Sequence, residues 1–362
     1  KIEMKKSVMW NYLEEIPDRA LELINHSQIP NFVKQYNVKA LKKIIFIGSG
    51  SSLNITLVSK NIFEKYSKLS IESYTPTEFK FSTFDNVNAN ETLVIAISQT
   101  GTSSGTIESI RYAKSLNFEV LTITEREATP VQKEGDYYLN FLCGLEDCNA
   151  KTKGYINSLL LLQLLAINIA KEKGNVSDKT FNEFLKELNV SIETIPKTIT
   201  ATLNWLEKHK DWAAINHLLV IGYGTNYGSA VEGMLKILET LGKPTSVSEL
   251  GEFSHGFHRT ISSLSTVILI QTEEEGKNEA LLTSTYLEKK VERLLVIDSC
   301  KEVNPSENVI NIDYQKFTAS SINITVVLQV IAIFLPEVIG YDPNRELNEE
   351  YTELVKTRVK YR

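Results

Sequence analysis

The chain has 362 residues, a length that allows about two domains. Hydrophobic residues make up 42% and charged residues 23%, which excludes a disordered or fibrous chain. A net charge of -6 makes nucleic acid and anionic membranes poor candidates as partners.

The chain has three cysteines, Cys143, Cys148 and Cys300, and no pair of them has the Cys-x-x-Cys spacing. This pattern argues against a zinc site and against a disulfide scaffold, and it fits a reducing cytoplasm. The sequence therefore predicts a cytoplasmic protein without a bound metal.

Two apolar runs, 159–170 and 322–335, are the strongest candidates for membrane spans. Each is shorter than 18 residues and contains a glutamine, Gln163 or Gln329, so buried core helices are the better prediction. The amino-terminal segment carries positive charge without an apolar stretch behind it, and no secretory signal is expected.

In chain order, a helical segment at about 8–40 precedes two similar halves. The first half begins with KIIFIGSG (43–50) and the second with HLLVIGYG (217–224), and both end in Gly-x-Gly before a helical pattern. The further predicted strands are 92–98, 118–124 and 136–141 in the first half, and 266–271, 293–298 and 308–313 in the second. The predicted helices between them include 106–116 and 278–291, and a polar helical linker covers about 173–210.

Apolar strands that alternate with helices are typical of parallel sheets covered on both faces. We therefore predict an α/β protein made of two tandem three-layer α/β/α sandwiches. The expected divisions are a helical segment (1–40), a first sandwich (41–195), a second sandwich (196–345) and a carboxyl-terminal tail (346–362).

The segment after the predicted strand 92–98 has the clearest functional pattern. Ser98–Thr106 reads SQTGTSSGT, which places hydroxyls and two glycines directly before a helix. Backbone N–H groups at a helix amino terminus carry partial positive charge, and glycines let the backbone approach an anion. The pattern predicts a phosphate site built without Lys or Arg. An ordinary Ser/Thr-rich turn with a helix cap is the alternative.

A second loop of this kind, Gly48–Ser52 (GSGSS), follows the first strand. A dinucleotide fingerprint would need a third glycine at Leu53, although Glu72 about 20 residues later keeps a nucleotide site open as an alternative. If the two strands are neighbours, both loops converge on one phosphate. The second half has three carboxylates at the corresponding place, 273–275, which would repel phosphate.

The second half is expected to supply other chemistry, from 229–258. Ser229–Leu241 has helical periodicity, with Glu232, Lys236 and Glu239 on one face, which by helix geometry alone fits a solvated, ion-paired surface. The opposite apolar stripe, expected to be buried, consists of Val231, Met234, Leu235, Leu238 and Leu241. His255 follows Glu239 by sixteen residues, in a loop with His258, and can be either an acid–base group or a surface residue.

These motifs together resemble the double-domain sugar isomerase (SIS) family. The resemblance rests on the two Gly-x-Gly half-repeats, SQTGTSSGT and EGMLKILET…GEFSHG, with Glu15-Ile16-Pro17 near the start, and it extends from Trp10 to about Asp342. It is greatest to the isomerase half of glucosamine-6-phosphate synthase, to fructosamine-6-phosphate deglycases and to aminosugar-phosphate isomerase/deaminases.

The resemblance implies roles for particular residues. Glu239 would be the base that moves a proton between C1 and C2, with Lys236 in support, and His255 would open the sugar ring from the neighbouring subunit of a homodimer with shared active sites. The implied phosphate ligands are Ser52, Ser98, Gln99, Thr100 and Ser103. No metal or organic cofactor is implied.

Three departures from the synthase bear on the substrate. There is no glutaminase domain in the sequence, so glutamine-fed synthesis is not expected. Asn149 and Lys151 stand where the synthase has a small apolar residue and a serine, which suggests a different substituent on the sugar, such as a carboxylate. The tail is longer, and Lys356 is a candidate for the lysine that the synthase places at its sugar.

The expected function is that of an isomerase/deaminase or deglycase acting on a 6-phosphorylated amino sugar or fructosamine. A phosphosugar-binding sensor without turnover is the main alternative, and a nucleotide-binding enzyme is a third. The presence of Glu239 and His255 favours the enzyme.

Overall fold

A computed structural model describes residues 6–360. These residues form two compact units, which are named here after their sheets. The first-sheet unit comprises the described residues within Asp18–Asp147, Lys153–Lys186 and Glu346–Arg362. The second-sheet unit comprises those within Lys1–Pro17, Cys148–Thr152 and Glu187–Arg345.

The described chain begins with two helices and the first sheet. In order, the elements are α1 (Met9–Asn25), α2 (Gln28–Gln35), β1 (Lys43–Ile47), α3 (Ser51–Lys65), β2 (Ser70–Tyr74), α4 (Pro76–Phe81), β3 (Thr92–Ile97), α5 (Ser104–Ser115), β4 (Glu119–Thr124), α6 (Pro130–Glu134), β5 (Tyr137–Asn140), α7 (Lys153–Glu172) and α8 (Asp178–Glu193). The strands form one parallel sheet in the order β2-β1-β3-β4-β5. Every residue of β3 is buried, because helices cover both faces of the sheet.

The second half repeats this arrangement. Its elements are α9 (Ile195–Glu207), β6 (Leu218–Gly222), α10 (Thr225–Leu241), β7 (Thr245–Glu249), α11 (Leu250–Phe253), β8 (Thr266–Gln271), α12 (Lys277–Lys290), β9 (Arg293–Asp298), β10 (Val309–Asn311), α13 (Ser321–Val338) and, in the tail, α14 (Glu349–Leu354). The parallel sheet has the order β10-β9-β8-β6-β7, which is the order of the first sheet with β6 in the place of β1. The predicted pair of α/β sandwiches after a helical segment is confirmed.

The two strands that the sequence pattern missed, β2 and β7, are both edge strands. Each has a single fully buried residue, Ile71 in β2 and Ser248 in β7. Their sequences, SIESY and TSVSE, alternate polar residues with others and contain no apolar run. A search for continuous apolar strands therefore finds the central strands and misses these edges.

The two apolar runs form the buried core helices α7 and α13, as predicted. By length and composition both helices could cross a membrane, yet 94% and 89% of their most apolar windows are buried inside the protein. The amide of Gln329, within α13, donates a hydrogen bond to the carbonyl of Thr152.

The buried face of α10 differs from the predicted one. Of the expected apolar stripe only Leu241 is fully buried, whereas Val231, Met234, Leu235 and Leu238 are half-buried. The buried face instead includes Glu232, Gly233, Lys236, Ile237 and Thr240. Two causes account for this. Gly233 receives the side chain of Leu328 from α13, and the charges of Glu232 and Lys236 are paired with each other, so counting apolar residues selected the wrong face.

We expect Gly233→Ala to destabilise the protein, although this change ordinarily stabilises a helix by about 1 kcal/mol. A methyl group at this position would lie 2.7 Å from Cδ1 of the fully buried Leu328, so this side chain or the two helices would have to shift. The expected loss is about 1–3 kcal/mol in urea unfolding. Gly256→Ala is the control, because no atom lies within 4 Å of its Cβ position. A Gly233→Ala protein as stable as the unmodified protein would contradict this packing account.

Candidate functional site

The two serine-containing loops start from neighbouring strands of the first sheet. β1 pairs directly with β3, and both strands run in the same direction. The helix after β1, α3, packs on α7, whereas the helix after β3, α5, packs on α4 and α6. The chain therefore leaves the two strands toward opposite faces of the sheet. This is the topological switch point at which open α/β sheets bind ligands.

In the loop after β3, side chains and glycine geometry shape the start of α5. The Ser103 hydroxyl caps the helix by accepting a hydrogen bond from the Thr106 backbone N–H at 3.3 Å. Gly101 has a φ of +71°, and a Cβ there would overlap the Thr129 side chain. Among the described residues, the backbone N–H groups of Thr100 and Thr102 have no protein acceptor. The loop therefore offers N–H donors beside a helix amino terminus, an arrangement that favours anion binding.

The loop after β1 turns directly into α3. Gly50, which precedes the helix, has a φ of +56°. A Cβ on Gly48 would lie 2.9 Å from the Ser52 backbone, so glycine lets the helix begin close to the strand. Ser52 is half-buried in the first turn of α3.

The side chain of Gln99 is held by two buried carboxylates. Its Nε2 donates to Oε2 of Glu125 at 3.0 Å and to Oε1 of Glu146 at 3.2 Å. A Cβ on Gly154 would overlap this amide, so the glycine makes room for it. Because an amide NH2 group has two donors, both are engaged, and Gln99 can offer an anion its backbone N–H rather than its side-chain N–H groups.

Glu146 also closes the amino terminus of α7. Its carboxylate accepts hydrogen bonds from the backbone N–H groups of Lys153 at 3.1 Å and Gly154 at 3.0 Å. Burial, together with the nearby charges of Glu125 and Glu146, raises the pKa of the Cys143 thiol to about 12. One buried carboxylate thus joins the loop after β3 to the first turn of α7.

No local sequence pattern predicts this cluster. Glu125, Glu146 and Gly154 are not among the phosphate residues that the sequence predicts. The two carboxylates lie 26 and 47 residues from Gln99 along the chain, and no fixed spacing connects residues that meet only through the fold.

In the second-sheet unit, a carboxylate from the loop after β8 lies at the start of α10, the helix that corresponds to α3. The Glu274 carboxylate accepts a hydrogen bond from the Thr225 backbone N–H at 2.8 Å and another from the Thr225 hydroxyl. A Cβ on Gly224, whose φ is +56°, would overlap Glu274. Burial raises the pKa of Glu274. Because this carboxylate lies at the start of α10, it takes the position that an external anion would need.

The charged residues of α10 are a buried ion-paired group. The Lys236 ammonium lies 3.0 Å from Oε2 of Glu239 and 3.5 Å from Oε1 of Glu232. The side chains of Lys236 and Glu232 are 2% and 0% exposed, whereas that of Glu239 is 26% exposed. The expectation of a solvated face is wrong for Lys236 and Glu232, because the two charges neutralise each other inside the unit. The Glu239 carboxylate thus contacts a buried cation and is also accessible to solvent.

His255 lies in an exposed loop after α11. Its backbone N–H donates to the carbonyl of Glu252 at 3.0 Å. Within the described part of one chain, no hydrogen bond or ion pair joins the His255 ring to Glu239. Nδ1 of His258 lies 3.2 Å from the carbonyl oxygen of Phe253.

The three candidate sugar-contact residues lie in different settings. The Asn149 backbone N–H donates to Oδ1 of Asn344 at 2.7 Å, and its side-chain amide donates to the Asn344 carbonyl at 3.3 Å. Lys151 is half-buried, and Lys356 is exposed after α14. Among residues 6–360, no group of three His, Cys, Asp or Glu side chains is arranged to hold a metal ion.

We expect Lys236→Met to lower the free energy of unfolding by about 3–5 kcal/mol, because it removes a buried cation that pairs with Glu232. Adding Glu232→Leu should restore most of this loss, since the second change removes the buried charge left behind. Urea unfolding of the two variants measures both effects.

Lys277→Met is the control, because Lys277, the first residue of α12, and Glu273, in the loop before it, form a pair of the same residue types and spacing with both side chains partly exposed. We expect it to cost less than about 1 kcal/mol. Equal losses for Lys236→Met and Lys277→Met would contradict the buried-pair interpretation.

Comparison with known proteins places this geometry in a family. The SIS domain matches residues 39–168 and 213–333. Glutamine–fructose-6-phosphate aminotransferase (isomerizing) of Caldanaerobacter subterraneus subsp. tengcongensis is 27% identical over 340 residues, which cover 90% of this chain and 54% of that protein. The enzyme of the same name from Clostridium tetani is 28% identical over 247 residues, 67% of this chain and 40% of that protein. The chain thus spans about half the length of the curated relatives that it matches.

Solved structures agree. A Clostridium difficile 630 protein, described as a proposed phosphosugar isomerase, superposes with a TM-score of 0.89 at 27% identity, covering 98% of this chain and 99% of that one. The C-terminal domain of glucosamine-fructose-6-phosphate aminotransferase from Francisella tularensis gives 0.84 at 20% identity, covering 94% and 99%. The fold is of the phosphosugar-isomerase type, homologous to the isomerase domain of the aminotransferases, and the chain belongs to the SIS domain family.

Proposed function

We propose that the protein is an aldose–ketose isomerase-type enzyme that acts on a 6-phosphorylated amino sugar or fructosamine, as an isomerase/deaminase or a deglycase. The observation that carries the proposal is the partly exposed Glu239 carboxylate held against the buried Lys236 ammonium. A carboxylate that a ligand can reach is a suitable base for a proton next to a carbonyl or imine carbon.

The phosphate role is assigned to Ser52, Ser98, Gln99, Thr100 and Ser103. The loop after β3 supports this assignment through its backbone donors at the start of α5. The names of the matched relatives, which specify fructose 6-phosphate, favour a hexose 6-phosphate. Binding energy from a phosphate remote from C1 and C2 can hold the reacting carbons in position and so contribute to catalysis.

The acid–base roles are assigned to Glu239, Lys236 and His255. Glu239 takes the proton from one of the two carbons and returns it to the other, and the Lys236 ammonium, which donates a hydrogen bond to its Oε2, holds this carboxylate in place. His255 moves a proton between the ring oxygen and the anomeric hydroxyl when the sugar ring opens.

The substituent on the sugar decides the product. A hydroxyl would give isomerisation, an amine deamination, and an amino-acid substituent deglycation. Asn149, Lys151 and Lys356 are the proposed contacts to this substituent, and two lysines among them suggest an anionic group. Cytoplasmic location stays a prediction.

The enzyme is tested by deuterium uptake. In D2O, a panel of fructosamine 6-phosphates, aminosugar 6-phosphates and hexose 6-phosphates should include a sugar that gains deuterium at C1 or C2, read by mass spectrometry. Glu239→Gln should abolish this uptake, because an amide cannot accept the carbon-bound proton. The sugar with the fastest uptake identifies the reaction.

Binding of the sugars without deuterium uptake would contradict the proposed enzymatic activity and favour a phosphosugar-binding sensor without turnover. Calorimetric titration of the same panel separates this result from a failure to bind. The variant must also bind the best substrate, so that lost uptake reports lost chemistry rather than lost affinity.

We further propose a homodimer in which His255 acts in the site of the neighbouring subunit. Its exposure, together with the lack of a contact to Glu239 within the described part of one chain, supports this arrangement. Subunits of Glu239→Gln and His255→Asn, each inactive alone, should regain activity when unfolded together and refolded. A shared site predicts recovery of about one quarter of the original activity, since half the dimers are hybrids with one intact site each.

If the mixture stays inactive although sedimentation shows hybrid dimers, His255 does not act across the subunits. A monomer with full activity would exclude the dimer requirement altogether. The two variants refolded separately are the controls.

A further inference from the structure

The carboxyl-terminal segment 356–360, called here the strap, lies against the loop after β3. The Val359 backbone N–H donates to the Thr102 carbonyl at 2.8 Å, and the Ser104 N–H donates to the Thr357 carbonyl at 3.0 Å. These bonds form an antiparallel bridge that places Arg358 opposite Ser103. All of these residues belong to the first-sheet unit.

The bridge determines which strap side chain meets the loop. The bonds are made by the residues on either side of Ser103 and Arg358, so these two form a non-hydrogen-bonded pair, the closer kind of cross-strand pair. Side chains opposite each other in an antiparallel pair project from the same face. The Arg358 side chain therefore leaves the backbone on the side of the Ser103 hydroxyl, which caps α5.

The charge of Arg358 is available for binding. No described acidic side chain forms an ion pair or hydrogen bond with it, and it is exposed. The segment Ser98–Thr106 contains no lysine or arginine. One donor of the helix amino terminus, the Ser104 N–H, is already taken by the strap carbonyl. The strap thus uses one neutral donor of the loop and places Arg358 opposite Ser103.

We propose that Arg358 is a phosphate-recognition residue, which adds the positive charge that the loop after β3 lacks. The inference rests on the proposed function, because that function assigns the loop to the 6-phosphate. A guanidinium binds a phosphate through parallel N–H···O bonds and favours the dianion over the monoanion. Lys360, two positions after Arg358, adds charge to the same face where the strap is extended.

The test is calorimetric binding of glucosamine 6-phosphate to the full chain carrying Glu239→Gln, which prevents turnover under the proposed function. Adding Arg358→Gln should weaken binding about 5- to 10-fold at pH 7.5. Arg358→Lys should retain part of the affinity, because lysine keeps the positive charge but lacks the parallel N–H donors of a guanidinium. At pH 5 the penalty of Arg358→Gln should shrink, since the second pKa of a phosphate monoester is about 6.

Arg111→Gln is the matched control, because it removes a guanidinium from the exposed side of the same α5, where Arg111 pairs with Glu134. We expect it to change affinity less than about twofold. Equal affinities for the parent and Arg358→Gln, or equal losses for Arg111→Gln and Arg358→Gln, would overturn the inference and leave the proposed function standing. A parent protein that binds no sugar 6-phosphate would overturn the assignment of the loop itself.

Discussion

The helix that follows each strand of a parallel sheet begins with backbone N–H groups that have no hydrogen-bond acceptor within that helix. This constraint acts at the amino termini of α5, α7 and α10, each of which follows a strand of one of the two sheets. The protein satisfies it in three ways. α5 has the Ser103 hydroxyl as its cap, α7 has the buried Glu146 carboxylate, and α10 has the Glu274 carboxylate. Of these three helix starts, that of α5 has a neutral cap and open backbone donors in the preceding loop, which suits it to an external anion.

The same constraint explains how two halves with one topology differ in chemistry. In the first-sheet unit, the buried carboxylates of Glu125 and Glu146 accept hydrogen bonds from the Gln99 side chain and hold it in place. The second-sheet unit puts the Glu274 carboxylate at the start of α10. Repulsion between like charges then disfavours anion binding there. The ion-paired charges of α10 are therefore the chemically distinctive feature of this unit.

Burial of charge in α10 shows how helix periodicity can mislead. A helix with both an apolar and a charged face is expected to bury the apolar one. Lys236 and Glu232 reverse this expectation, because each supplies the charge that the other needs inside the protein, and because Gly233 between them allows α13 to approach closely. The apolar residues Met234 and Leu238 stay half-exposed as a consequence. Neither effect is visible in a count of apolar positions.

The architecture could be predicted from local sequence patterns alone. Repeated Gly-x-Gly turns and continuous apolar runs predict two parallel sandwiches, because strands buried on both faces consist mostly of apolar residues. The run of hydroxyls in 98–106 is likewise a local pattern, which directly precedes a helix. The same patterns do not predict the polar edge strands β2 and β7, since a half-buried strand needs no apolar run. Only the tertiary structure brought Glu125 and Glu146 to Gln99, Glu274 to Thr225, and Arg358 opposite Ser103. These partners lie far apart along the chain, and no local pattern encodes a contact that forms only when strands, helices and the tail pack together.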